Sequence, residues 1–219
     1  MVRMLESPRV LISGSRLWPW DTAVDQALDR LLDRYRERLT VIEGRARGAD
    51  LAAHHWCARH RLGPDRHRCY PVDWATERRR RPDTWRRAGH DRNTRMLLRE
   101  WPELVVAFHH QLDVRSGGTS NMCLKALLVG LPVWLVTGPD PVDGQWLRLG
   151  QFAARRIAQT QRDLAEWAVV LHGQTLEDLL AARSGIGRAD VVTQSDSQPV
   201  IGECPVPGLL PLCVAGDLR

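Results

Sequence analysis

The chain has a single lysine, Lys125, no pair of cysteines spaced C-x-x-C, and no apolar run long enough to cross a bilayer. Each lack excludes something. The five cysteines, Cys57, Cys69, Cys123, Cys204 and Cys213, are odd in number and scattered, so a disulfide framework is not expected in a chain of this size. The most apolar stretch, residues 126–136, is cut by Gly130 and Pro132 and falls short of the roughly 20 residues that a membrane helix needs. No N-terminal segment joins a charged start to an apolar run and a small-residue cleavage site, so no signal peptide is expected. The expectation is a soluble cytoplasmic protein with no membrane partner. With lysine nearly absent, arginine carries the positive charge, and the net charge is +5. Acidic residues lie along the same segments, which reads as a solvated surface; a nucleic-acid track is the alternative.

What is present is a core. Hydrophobic residues make up 43% of 219 residues, enough for one generous domain or one domain with a tail. Short apolar runs at 10–12, 39–42, 68–72, 104–108 and 133–136 read as strands. Asp21 and Thr22 offer N-caps for a first helix, whose apolar steps of three and four are Val24, Ala27, Leu28, Leu31, Leu32 and Tyr35. Further helices open near Ala49 (ending at Gly63-Pro64), near Gly89 (ending at Pro102) and at Gly117-Gly118-Thr119 (running to Val129). The segment 73–87 reads as an arginine-rich loop. This β-α alternation predicts an α/β, Rossmann-like three-layer sandwich: a mainly parallel central sheet with helices on both faces. Trp146, Leu149, Ala153 and Ile157 suggest a helix face, 168–171 an edge strand and 175–183 a last helix. The predicted organisation is a Rossmann-like domain over 1–137, a helical extension packing on it over 138–183, and a flexible tail over 184–219, where prolines accumulate.

In such sheets ligands sit at the carboxyl ends of the strands, and four stations of this chain fall there. Gly117-Gly118-Thr119 opens a helix with residues that let the backbone approach an anion closely, and the helix end points free N–H groups at it; a plain tight turn is the bland alternative. Gly44, Arg47, Gly48 and Asp50 repeat the pattern after the second strand, with Arg47 able to grip a phosphate bidentately. Asp50 in the first helical turn suits capping better than holding a ribose hydroxyl or orienting Arg47. Gly14-Ser15-Arg16 follows the first strand; without a G-x-S-x-G elbow or a histidine partner, Ser15 reads as a ligand contact rather than a nucleophile. Arg92 and Asn93 lie on the third helix, Asn93 on the same inward face as Met96 and Leu97, where a polar group needs a partner. A zinc reading uses His54, His55, Cys57 and His60, with His67 and Cys69 following. It is set aside because Cys57 faces the core stripe and His54 and His55 diverge by about 100° around the helix; no metal ligand is assigned.

Taken in order, Leu11-Ile12-Ser13-Gly14-Ser15-Arg16, Gly44-Arg45-Ala46-Arg47-Gly48-Ala49-Asp50, Ala88-Gly89-His90-Asp91-Arg92-Asn93-Thr94-Arg95-Met96 and Gly117-Gly118-Thr119 resemble the YspA-type branch of the SLOG superfamily, which joins the DNA-processing protein DprA/Smf and the LOG phosphoribohydrolases. The resemblance covers about residues 8–137, and Asp73-Trp74 also fits it. It implies a Rossmann-like fold with a phosphate-binding loop and a site for a nucleotide or an NAD-derived ligand such as ADP-ribose, with no required cofactor. The LOG motif P-G-G-x-G-T-x-x-E places a glutamate three residues after the threonine; here that position is Met122. The remaining acids, Asp50 and Asp91, have no evident paired partner, and Asp50 is only a weak catalytic candidate. Binding or sensing is therefore expected over catalysis. The alternatives are a nucleotide N-glycosidase or phosphoribohydrolase, and a DprA-like protein that binds single-stranded DNA along residues 78–81, Arg86, Arg87, Arg92 and Arg95, with Trp74 or Trp85 stacking bases. A homo-oligomer is left open.

Overall fold

Arg9–Gly14 forms β1, flanked by β2 (Thr40–Glu43) and β4 (Leu104–Phe108), both parallel to it. The structure, a computed structural model, describes residues 8–184. β3 (His67–Cys69) extends the sheet beside β2, β5 (Val133–Val136) lies beside β4, and β6 (Gln145–Trp146) closes that edge antiparallel, giving the order β3-β2-β1-β4-β5-β6. Every residue of β2, β4 and β5 is buried. That is the burial expected of parallel strands covered on both faces, and it explains why their sequences are continuous apolar runs rather than alternating ones. Chain order reverses between β1 and β4, so a crevice opens beyond their carboxyl ends.

Helices cover both faces, so the sheet is the middle of three layers. On one face α1 (Asp21–Tyr35) and α2 (Ala49–Arg59) pack Val24, Leu28, Leu31, Ala53 and Trp56 against Val10, Ile12 and Val41. On the other face α4 (Ala88–Glu100), α5 (Gly118–Leu128) and α6 (Ala154–His172) bury Met96, Leu97, Met122, Leu124 and Leu164 against Leu11, Val105 and Val133. α3 (Trp74–Arg80) follows β3, and α7 (Leu176–Ser184) follows α6. Among the described residues no helix is long and apolar enough to cross a membrane, and Cys57, Cys69 and Cys123 are free thiols.

Several local expectations change. Asp21 is the first residue of α1 rather than its cap; Trp20 takes that place, with no side-chain cap bond. α2 ends at Arg59, before Gly63-Pro64, where Arg61 adopts the left-handed conformation. The expected loop 73–87 holds α3, because the Asp73 side chain accepts from the amides of Ala75 and Thr76 and caps a helix. Residues 168–171 belong to α6, a 19-residue helix in which Ala168 is buried and Val169 and Val170 are exposed, and the edge strand is β6. Trp146 lies in that strand, Leu149 in a short 3-10 turn and Ile157 in α6, so they share no helix. The expected flexible tail over 184–219 lies, beyond Ser184, outside the described residues.

Lys125 is buried in α5. Its Nζ donates to the His90 carbonyl at 3.0 Å and to Thr94 Oγ1 at 2.5 Å, and no carboxylate forms a salt bridge with it among the described residues. Burial pulls its pKa down to about 8 from 10.5. Between these values the unfolded chain holds the proton more tightly than the folded one, so folding stability rises with pH across this window. Urea melts at pH 7.5 and pH 10 are expected to show that rise, and Lys125→Met to remove it. A slope that persists in the variant would assign it to another group.

Candidate functional site

β1 and β4 separate at the reversal of strand order, and the Ser15 amide bridges them, donating to the Phe108 carbonyl at 2.8 Å. Beyond this point lies a cavity of about 520 Å³, a size suited to a small molecule. Its walls are the turn after β1 (Gly14, Ser15, Arg16), Asp50 from α2, the first turns of α4 (Gly89, His90, Arg92, Asn93), and Ser116, Gly117, Gly118 and Thr119 after β4. Nine of the twelve residues singled out as ligand contacts thus share one cavity: Gly14, Ser15, Arg16, Asp50, Arg92, Asn93, Gly117, Gly118 and Thr119.

The other three, Gly44, Arg47 and Gly48, do not line it. Gly44 sits behind the wall, where a Cβ would lie 0.9 Å from Arg92 Nη1; glycine is required there so that a buried guanidinium can occupy the space. Gly48 backs onto the turn after β1, its Cβ position only 2.1 Å from the Ser15 carbonyl oxygen. Arg47 is exposed and outside the cavity lining. The glycines of the second strand's pattern therefore support the wall, and Arg47 stands outside its lining.

Asp50 holds the wall together. Its carboxylate accepts from the Gly14 amide at 3.1 Å and from Arg92 Nη1 at 3.2 Å, tying the β1 turn to α4. It makes no cap bond to its own helix, and the guanidinium it orients is that of Arg92, not Arg47. Burial pushes its pKa up to about 6, with the nearby Glu43 charge adding to the rise and Arg92 and the Gly14 amide opposing it. Asp91, the other acid weighed from the sequence, does not line this cavity; it pairs with Arg81 at 2.7 Å.

The floor of the cavity is the start of α5. Gly117 caps the helix with φ +99, a conformation that favours glycine, and no side chain caps the first turn. Its free amides therefore meet the cavity with the positive end of the helix dipole. The turn is held from outside. Asn93 Nδ2 donates to the Gly118 carbonyl at 3.0 Å, which supplies the partner that its inward position demanded. Arg156 of α6 donates to the Val114 carbonyl and to Ser120 Oγ at 2.8 Å. Asp113 accepts from the Arg115 amide at 2.8 Å and from Ser116 Oγ at 2.7 Å, and these bonds hold its carboxyl below the usual carboxylate range.

Residues that sequence reasoning did not place at the site complete its rim. Trp74, Arg86, His90, His109, Asp113 and Ser116 all line the cavity. The Arg16 guanidinium lies 5.4 Å from the Trp74 ring centroid, and Trp74 meets Trp85 edge-on at 5.9 Å. Arg78 and Arg86 stack on Trp85 at 4.5 and 4.6 Å. The signal for this rim was Asp73-Trp74, a capping acid followed by a large aromatic. The arginines weighed as a DNA track divide: Arg78, Arg79, Arg80, Arg86 and Arg87 are exposed, whereas Arg81 is paired with Glu77 and Asp91 and Arg92 is buried.

A second polar cluster stands behind α2. The Glu43 carboxylate is fully buried, with Oε1 2.9 Å from both His54 Nδ1 and His67 Nε2. Burial pushes its pKa up, but hydrogen bonds from His67, Cys69, His54 and the Arg45 amide outweigh this and hold it below the ordinary value. Burial and the same carboxylate push the Cys69 thiol up to about 12. Glu43 was missed from the sequence because it was read as part of the loop after β2.

The chain is similar to known proteins in three comparisons. The model of the YspA, cpYpsA-related SLOG family matches residues 8–76. Gene 61 protein of Mycobacterium phage D29 is 36% identical over 132 residues, covering 57% of this chain and 93% of that protein. The structure of DNA processing protein A (DprA) from Streptococcus pneumoniae aligns with a TM-score of 0.35 at 16% identity, over 67% of this chain and 62% of that one.

Proposed function

Because the chain belongs to the YspA, cpYpsA-related SLOG family, we propose that it binds a nucleotide-derived, phosphate-bearing small molecule, of NAD, ADP-ribose or nucleoside phosphate type, in the cavity between β1 and β4. The observation that carries this reading is the uncapped start of α5, opening through Gly117 and Gly118 onto that cavity. A phosphate seated there receives backbone N–H bonds and the helix dipole together. The rim supplies complementary chemistry: Arg16 and Arg86 bring charge, and the Trp74 ring offers a face for a base.

The reading is of a binder rather than a hydrolase. Of the two acids that line the cavity, Asp50 is engaged by Gly14 and Arg92, and Asp113 by its own turn. The carboxylate whose charge acts on Asp50, that of Glu43, is engaged by His54 and His67 and does not line the cavity. Met122, where LOG enzymes carry a glutamate, is fully buried in the core.

Thermal unfolding against a panel of nucleoside monophosphates, NAD and ADP-ribose tests the proposal. A ligand at 100 times its Kd is expected to add about 2.7 kcal/mol of stability. No shift across the panel would remove the reading, and release of a free base from a bound nucleotide would turn it toward catalysis.

A further inference from the structure

We propose that Glu43, His54, His67 and Cys69 form a four-coordinate zinc site between α2 and the β2–β3 edge of the sheet, outside the lining of the nucleotide cavity. One ligand atom from each of the four lies within 4.8 Å of the other three. Tetrahedral zinc with bonds of about 2.0–2.3 Å needs ligand atoms roughly 3.3–3.8 Å apart. Shifts of an ångström or less would therefore close the four side chains around an ion.

The fold explains why these residues meet. Glu43 and Cys69 are register partners at the carboxyl ends of the parallel strands β2 and β3. His67 lies two residues before Cys69, on the same face of β3. His54 sits one helical turn after Asp50 and reaches the same point from α2. Three elements thus converge on one carboxylate; the zinc reading weighed from the sequence included His54, His67 and Cys69 but not Glu43.

The donor set selects the ion. Glu43 is fully buried, and its ion-pair partners among the described residues are two histidines, with no arginine or lysine. A metal ion would supply beside that buried carboxylate the positive charge that no arginine or lysine brings. One oxygen, two imidazole nitrogens and one sulfur suit zinc; calcium and magnesium take oxygen ligands. The Cys69 thiol binds as thiolate, its proton passing to solvent, and both imidazoles bind neutral. Four protein ligands leave no open position, so the role is structural. The other Glu43 oxygen accepts from the Arg45 amide, so the ion would brace the β2–α2 loop behind the cavity wall. The histidine side chains are 23% and 14% exposed, which leaves an entry path.

The test uses the full chain, stripped with a chelator and titrated with zinc and, separately, with cobalt(II). The expected result is one metal per chain and a visible cobalt spectrum of tetrahedral type with a thiolate charge-transfer band. Cys69→Ser and His67→Gln should each weaken zinc by about 100-fold, and Cys69→Ser should abolish the thiolate band. His55→Gln, on the exposed side of the same helix, should leave both unchanged. The readout is independent of nucleotide binding. Absence of stoichiometric zinc, or zinc held equally well by Cys69→Ser and His67→Gln, would overturn the proposal and leave the cluster as a hydrogen-bond network around Glu43.

Discussion

Replacing Arg92 by methionine is expected to cost about 3–5 kcal/mol at pH 8, and markedly less at pH 5. The guanidinium is buried, fills the space that Gly44 leaves, and contacts Asp50 at 3.2 Å. Its removal strands a buried carboxylate. Asp50 already holds its proton up to about pH 6, against 3.8 in the unfolded chain. Its contribution to stability is therefore greatest below the unfolded value, falls as pH rises between the two, and is level above about 6. Without Arg92 the charged form is less favoured still, and the fall extends to higher pH. The difference between variant and wild type accordingly widens from pH 5 to pH 8. Urea melts at both values measure it. An equal cost at both would mean that Arg92 acts through packing alone. Asp50→Leu in the Arg92→Met background should recover part of the loss, because it removes the stranded charge.

A second substitution should separate binding from folding. Gly118→Asp places a carboxylate at the first position of α5, where a bound phosphate would sit. A Cβ there meets nothing within 4 Å, and Gly118 lacks the positive φ of Gly117, so the backbone accepts a side chain. An acidic residue in the first turn of a helix is favourable by about 0.3–1 kcal/mol, so the melting temperature should hold or rise. Affinity for a phosphate-bearing ligand should fall about 100-fold, equivalent to about 2.7 kcal/mol. Calorimetric titration of wild type and variant gives both affinities. An unchanged affinity would place the anion elsewhere in the cavity.

Much of this was legible in the residues themselves. The strands at 104–108 and 133–136 coincide with β4 and β5, because fully buried parallel strands are short apolar runs between turn residues. Two of the glycine stations marked from the sequence, Gly14 and Gly117-Gly118, line the cavity, whereas Gly44 after β2 stands behind its wall. Arg47 shows the limit. Its sequence context matches a phosphate grip, yet its exposure outside the cavity is decided by how the β2–α2 loop packs on Ser15, a contact between segments far apart in the chain. Arg92 and Asp50 show the same limit from the other side. Local pattern marked both as candidates, but their partnership spans 42 residues and depends on Gly44 making room. The run 168–171 was misread for a simpler reason. Four apolar residues in a row suit a buried strand, but here they wind around α6, which packs on α4 and α5 through Ala168 and leaves Val169 and Val170 exposed. Glu43 was hidden because the register of β2 and β3, which brings it beside Cys69, leaves no trace in either strand alone.

The most direct test of the central claim is a crystal structure of the chain with ADP-ribose or a nucleoside monophosphate. The account predicts a phosphate within hydrogen-bonding distance of the amides of Gly118 and Thr119, with the remainder of the ligand extending toward Arg16 and Trp74. A ligand bound away from the start of α5, or a cavity that stays free of nucleotide at saturating concentration, would contradict it.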